Sequence, residues 1–358
     1  MALQVNTSFL LNASNNSDNI RDDLCSSPLE KEGVKVFLLF FYIMVMLLAI
    51  LGNTSIIYIV YSNRTMRTST NIFIANMAVC DLGIPYVLIP KKIARLFVGR
   101  YIWMVPGEFG IAVCKLVPFV HDVFVDCSTY SLLLITFDRF CAVLLPHKRH
   151  LLSNKVVVIL ITSAWLASIS INAVLLRIYN VSYKDGRRFC FASWYSDTAS
   201  DVYFKTLMCT NIIAPILLIT SAYSAIFHKL KRQVQVLGNS ISDQLKLKES
   251  LLQKKIVKMT FAIVCTFGIC WLPIIFTVLF QPFVKLNANS TRYSCWVYRY
   301  SEFSLHMKVL PSITNPSLCF VFSKKYRDEF RRIFRGRFSC ASNEVGNLED
   351  EVNANAQR

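Results

Sequence analysis

Charge is scarce: only 17% of the 358 residues are charged, whereas 54% are hydrophobic. A soluble chain of this length cannot hide so much apolar surface in one core, so a membrane is the natural second solvent. Neither an HExxH nor a GxSxG pattern occurs, which removes the zinc-protease and serine-hydrolase chemistries and leaves no enzymatic reading. Inverted repeats and a recurring pore-lining series of charges are missing too, which argues against a transporter or a channel. No basic, cleavable signal sequence precedes Asn6, so the first apolar run is expected to act as its own insertion signal.

What the chain does have is apolar runs of about 20 residues, each enough to cross a bilayer. They cover Val36 to Tyr61, Ile72 to Ile89, Val113 to Leu145, Val156 to Leu176, Thr206 to Phe227, Ile256 to Phe280 and, more weakly, Phe303 to Phe322. The last is broken by Glu302, His306 and Lys308 at its start and by Pro311 and Pro316 inside it. The expected fold is an all-α membrane protein, a seven-helix bundle with a short amphipathic eighth helix.

The net charge of +17 does not point to nucleic acid, because the basic residues are spread over alternate loops. Arg64 and Arg67, then Lys148, Arg149 and Lys155, then the lysines between Phe227 and Ile256, then Lys324 to Arg337 all fall on one side of an alternating path. The positive-inside rule makes that side cytoplasmic, with the amino terminus outside and the carboxy terminus inside at the plasma membrane. Glycosylation sequons at Asn6, Asn12, Asn15, Asn180 and Asn289 fall on the outer side. Four parts result: an extracellular glycosylated tail (1–32), a membrane domain (33–322), an amphipathic helix (323–340) and a polar, acidic, disordered cytoplasmic tail (341–358).

Of the 12 cysteines, most sit in apolar runs. Cys114 and Cys190 both lie at the outer side, where a disulfide is permitted and would tie the second outer loop to the third helix. Cys25 and Cys295 form a second possible outer pair. Cys340, beyond the basic run SKKYRDEFRRIF, is either a palmitoylation site or a free tail thiol.

The third run carries the chemistry. Cys114, Pro118, His121, Val125, Ser128, Leu132, Ile135 and Arg139 recur at steps of three and four, one stripe of one helix. Asp138 beside Arg139 is costly in lipid unless it faces a protein interior or the aqueous boundary. In the second run Asp81 is a lone carboxylate at mid-membrane, to be neutralised, paired, or bound to a cation. Ser128, Ser312 and Asn315 offer oxygen ligands suited to sodium, and a purely structural hydrogen-bonding role for Asp81 is the alternative. Pro215, Pro273 and Pro316 put hinges into the fifth, sixth and seventh runs.

Over about residues 33 to 340 the chain resembles the rhodopsin-like G protein-coupled receptors. The resemblance rests on Gly52-Asn53, the NMAVCDL run ending near Asp81, Trp103 and Phe109-Gly110 before Cys114, Asp138-Arg139-Phe140, Trp165, Pro215 with Tyr223, Phe267 with Cys270-Trp271-Leu272-Pro273, and Asn315-Pro316. It implies a sodium pocket at Asp81, Ser128, Ser312 and Asn315, with sodium as an allosteric modulator and no other cofactor. It also implies a transmission switch at Phe267 and Trp271, and an Arg139 that is freed from Asp138 to engage a heterotrimeric G protein when helix six swings outward. Arrestin, a receptor kinase and membrane lipid are the further partners implied. Three departures stand out: Cys319 where the family usually has tyrosine, which removes a partner of Tyr223; no outer proline in the fourth run; and Phe140 for the commoner tyrosine.

The amine receptors of the family place an aspartate where this chain has His121. Asp122 is one residue on, turned by about 100 degrees, so that salt bridge is not simply inherited. The opsin lysine position is matched by Val309. By contrast, Cys114-Lys115-Leu116-Val117-Pro118-Phe119-Val120 resembles the start of the third helix in neuropeptide receptors of the RFamide, neuropeptide Y and orexin kind. The expected ligand is a peptide, with Asp122 and Asp126 contacting its basic or aminated end and His121, Val125, Trp271, Phe276 and Glu302 lining the rest. Pairing of the two aspartates with Arg177, Arg187 or Arg188 is the structural alternative; an amine or other small-molecule receptor, or a non-signalling decoy, is the functional one.

Overall fold

The computed structural model describes residues 32–98, 102–146, 152–184, 186–238, 244–286 and 291–333. Helices α1 (Glu32–Ser62), α2 (Ser69–Val98), α3 (Gly107–Leu144) and α4 (Asn154–Asn172) come first. A hairpin follows, β1 (Tyr179–Lys184) antiparallel to β2 (Arg187–Ala192). Helix α5 is assembled from Asp197–Met208, a π turn over Cys209–Ile213 and Ala214–Gly238. Helix α6 is Gln244–Leu286, α7 consists of Thr291–Met307 and Pro311–Phe322, and α8 covers 324–333.

The apolar pattern is that of a bundle in lipid. Val36, Phe37, Phe40, Leu47 and Leu51 of α1 point outward, as do Val158, Ile159 and Leu166 of α4 and Ile269 and Leu272 of α6. Among the described residues five helices are long and apolar enough to cross a membrane: α1, α2, α4 continued to Ile178, α5 and α6. Of the other two, α7 is broken into pieces of 17 and 12 residues, and α3 buries a row of polar and charged groups. In α3 all eight residues of the periodic stripe, from Cys114 to Arg139, are buried.

Polar and small residues join the helices, since lipid offers no hydrophobic drive for helix association. Asn53 of α1 donates to the Ser312 carbonyl of α7 at 2.8 Å. Next to it, a Cβ on Gly52 would come within 2.9 Å of the Pro316 ring, so only glycine permits this approach of α1 to α7. Trp165, which spacing alone leaves either packed or facing lipid, is packed: its Nε1 donates to Asn76 Oδ1 at 3.0 Å and its ring meets Phe124 edge-on. Pro215 removes the N–H that would bond the Asn211 carbonyl, and the helix accommodates the loss with the π turn just before it.

The hairpin is absent from the expectations above, although Asp185-Gly186 between alternating residues is a hairpin signature. Gly186 has φ 73°, a left-handed conformation that favours glycine. Tail residues Asn6, Asn12, Asn15 and Cys25, together with Asn289 and Cys340, lie outside the described residues, and the Cys25–Cys295 pairing falls with them. Asn180 is exposed on β1.

Candidate functional site

Three buried polar layers run down the bundle, each centred on α3. Call the disulfide-bearing end outer and the Arg139 end inner. At the inner end Asp138 accepts hydrogen bonds from Ser69 and Thr70 of α2 and from Arg139 Nε at 3.0 Å, and Arg139 also reaches Thr70. Arg139 is 8% and Asp138 2% exposed, so the pair is closed on itself against α2. Phe140 packs on the Ile219, Tyr223 and Ile226 cluster of α5. The Tyr223 hydroxyl lies beside Thr136 and Thr260 without completing a hydrogen bond.

In the middle layer Asp81, fully buried, accepts from Ser128 Oγ at 2.8 Å and from Asn315 Nδ2 at 2.7 Å. Ser312 Oγ, Asn315 Oδ1 and Asn53 Oδ1 are buried there without a hydrogen-bond partner among the described residues. One carboxylate beside uncommitted neutral oxygens is the donor set of a monovalent hard cation, so the residues fit sodium. Cys319 is fully buried near this layer, and Tyr326 of α8 packs in the same cluster, where its hydroxyl reaches Asn71 Oδ1 at 3.2 Å.

The outer layer separates residues that spacing puts together. Asp122 Oδ1 lies 2.8 Å from His121 Nδ1, and both residues are buried. Asp126 is occupied on both oxygens, by Asn172 of α4 at 2.7 Å and by Asn211 of the π turn at 2.8 Å. Tyr130 and Tyr203 extend that network through the same two amides, so Asp126 braces α3 against α4 and α5. Arg188, one of the arginines considered as a partner, instead donates to the Trp103 and Met104 carbonyls.

Val125, Trp271 and Ile274 share an apolar cluster. Trp271 stacks on Phe267 with 5.4 Å between ring centroids, and Lys308 Nζ sits 5.2 Å from the centre of the tryptophan ring. Two buried polar atoms here, His121 Nε2 and Trp271 Nε1, have no hydrogen-bond partner among the described residues. Phe276 meets Tyr300 edge-on. Above them the Cys114–Cys190 disulfide fastens β2 to α3, as the shared outer location of the two cysteines anticipates.

Glu302 pairs with basic residues of α2. Its carboxylate lies 3.3 Å from Arg95 and 3.9 Å from Lys92, while Tyr42 stacks on His306 one turn away. Lys92, Arg95, Tyr42, Asn172 and Asn211 were not singled out by the motifs. The signal for Lys92 was present: α2 runs to Val98, nine residues past the point where apolar character ends, which carries Lys91 and Lys92 into the bundle.

A helical membrane bundle with a buried polar layer at one end, a closed arginine–carboxylate pair at the other and a polar strut between them is the architecture of a transmembrane receptor. The family model of the rhodopsin-family seven-transmembrane receptors matches residues 52–318, and the chain belongs to that family. Among its relatives are a QRFP-like peptide receptor of Branchiostoma floridae, 29% identical over 87% of this chain and 80% of its own length, and the RYamide receptor of Drosophila melanogaster, 26% identical over 94% and 71%. The neuropeptide FF receptor 2 of Rattus norvegicus is 25% identical over 82% and 71%.

Proposed function

We propose that this chain is a plasma-membrane receptor that converts the binding of an extracellular peptide into activation of a heterotrimeric G protein. The names of the relatives support a peptide as ligand, and the observation that carries the mechanism is the Asp138–Arg139 pair held shut against Ser69 and Thr70. Arginine stays charged throughout and exchanges one acceptor for another, so its release needs only a change of partner. A ligand that binds the open form more tightly shifts the population toward it.

At the outer end a basic or aminated group of the peptide contacts Asp122 while His121, Val125, Trp271 and Phe276 line its path. The stacked Phe267–Trp271 pair sits on α6 directly below, so displacement of Trp271 moves that helix, and Pro273 supplies the hinge. Asp126, saturated by its two amides, serves here as a brace and not as a contact. A sodium ion held by Asp81, Ser128, Ser312 and Asn315 would favour the closed form by tying α2, α3 and α7 together. In this reading the amino terminus is outside and α8 lies on the inner membrane surface, where a receptor kinase and arrestin would follow the G protein; the basic residues of the alternate loops support it.

The test is guanine-nucleotide exchange in membranes from cells expressing the full chain, challenged with a panel of amidated and free-acid neuropeptides. Stimulated exchange by at least one peptide is expected. Specific binding without exchange would make the protein a decoy, a reading that Cys319 and the unsatisfied Tyr223 hydroxyl favour.

A further inference from the structure

Lys92 is the anomaly of the outer end. It lies on α2 with 5% exposure, and among the described residues its Nζ has no hydrogen-bond partner. The nearest carboxylate, Glu302 Oε2, is 3.9 Å away, too far for a hydrogen bond, and the other Glu302 oxygen is taken by Arg95 at 3.3 Å. Lys91, Arg95 and Lys308 act on Lys92 with like charge, and Glu302 acts on it with the opposite charge. A buried ammonium with three cationic neighbours and half of one carboxylate is undercompensated, and such a charge is tolerated where a counter-charge arrives.

We propose that Lys92 forms an anion subsite at the outer ends of α2 and α7 that receives a carboxylate of the peptide ligand, from an acidic side chain or a free carboxy terminus. The inference rests on the peptide-receptor reading and sharpens it. Asp122 and Lys92 lie on different helices, α3 and α2, and both feel the charge of Lys308, so one ligand can present a cation to the first and an anion to the second. A peptide with opposite charges at two positions is then discriminated from one that is merely basic. A ligand without the anion leaves Lys92 undercompensated, which is how such sites reject wrong ligands.

Two measurements on the purified full-length receptor decide it, both read as melting temperature. Without peptide, Lys92→Met raises the melting temperature by about 3 °C, because an apolar chain of similar shape replaces an undercompensated charge while Arg95 still holds Glu302. A fall of that size would show Lys92 to be a structural partner of Glu302 and would overturn the subsite. Two octapeptide pools, identical except for glutamate against glutamine at one position, are then titrated. The glutamate pool is expected to stabilise the wild type at concentrations about tenfold lower than the glutamine pool, an advantage lost in Lys92→Met. Equal shifts from both pools overturn the subsite and leave the peptide reading standing. No shift from either pool overturns the peptide reading and the subsite with it.

Discussion

Asp138 at the inner end is saturated by Ser69, Thr70 and Arg139, whereas at the outer end His121, Trp271 and Lys92 each keep a buried polar atom without a hydrogen-bond partner among the described residues. Both ends bury charge, and α3 runs unbroken between them. The difference is one of completion. A closed network stores a state, since opening it costs the desolvated bonds of a carboxylate and a guanidinium. An open one waits for groups supplied from outside. A receptor needs both, with the open end able to unsettle the closed end through α6.

The comparison can be broken most severely at the tether that holds the hairpin over the outer end. Replacing Cys114 or Cys190 with serine removes a crosslink between residues 76 apart in sequence, and most surface staining of the receptor is expected to vanish. Surface levels equal to wild type would show the loop to be held by its other contacts.

Opening the closed end directly comes next. Asp138→Asn weakens the hold on Arg139 while keeping the shape of the side chain, and peptide-independent nucleotide exchange is expected to rise several-fold; unchanged basal exchange would mean that the pair does not restrain the resting state. At the open end, Asp122→Asn should lower peptide affinity by about tenfold, more than Asp81→Asn does, because Asp81 sits a layer below the peptide. Identical binding constants for wild type and Asp122→Asn would take that residue out of the site.

The smallest effect is expected at α8. Burial pushes the Tyr326 phenol well above its ordinary range, so the hydroxyl stays protonated and donates to Asn71. Tyr326→Phe keeps the ring in its cluster and loses about 1 kcal/mol, seen as a small drop in melting temperature with no change in peptide affinity.

The bundle was legible because apolar run length and the period of α3 are local properties: each stripe residue from Cys114 to Arg139 is buried as its spacing requires. The inner pair was legible as two adjacent charges in an apolar helix. The outer site was not, and Asp126 shows why. It stands four residues from Asp122, close enough to imply a shared face, yet its partners Asn172 and Asn211 arrive from α4 and from a π turn whose extra residue shifts the register of α5. Nothing local to Asp126 encodes those arrivals. Lys92 was hidden differently, by reading the end of an apolar run as the end of the membrane helix, although proline at residue 90 does not stop α2.

The central claim is that filling the outer layer opens the inner one. It is tested most directly by the distance between probes on the inner ends of α3 and α6 in the purified receptor, with and without a peptide that stimulates nucleotide exchange. A widening of several ångströms on peptide addition is expected; a distance that stays the same while exchange is stimulated would contradict the account.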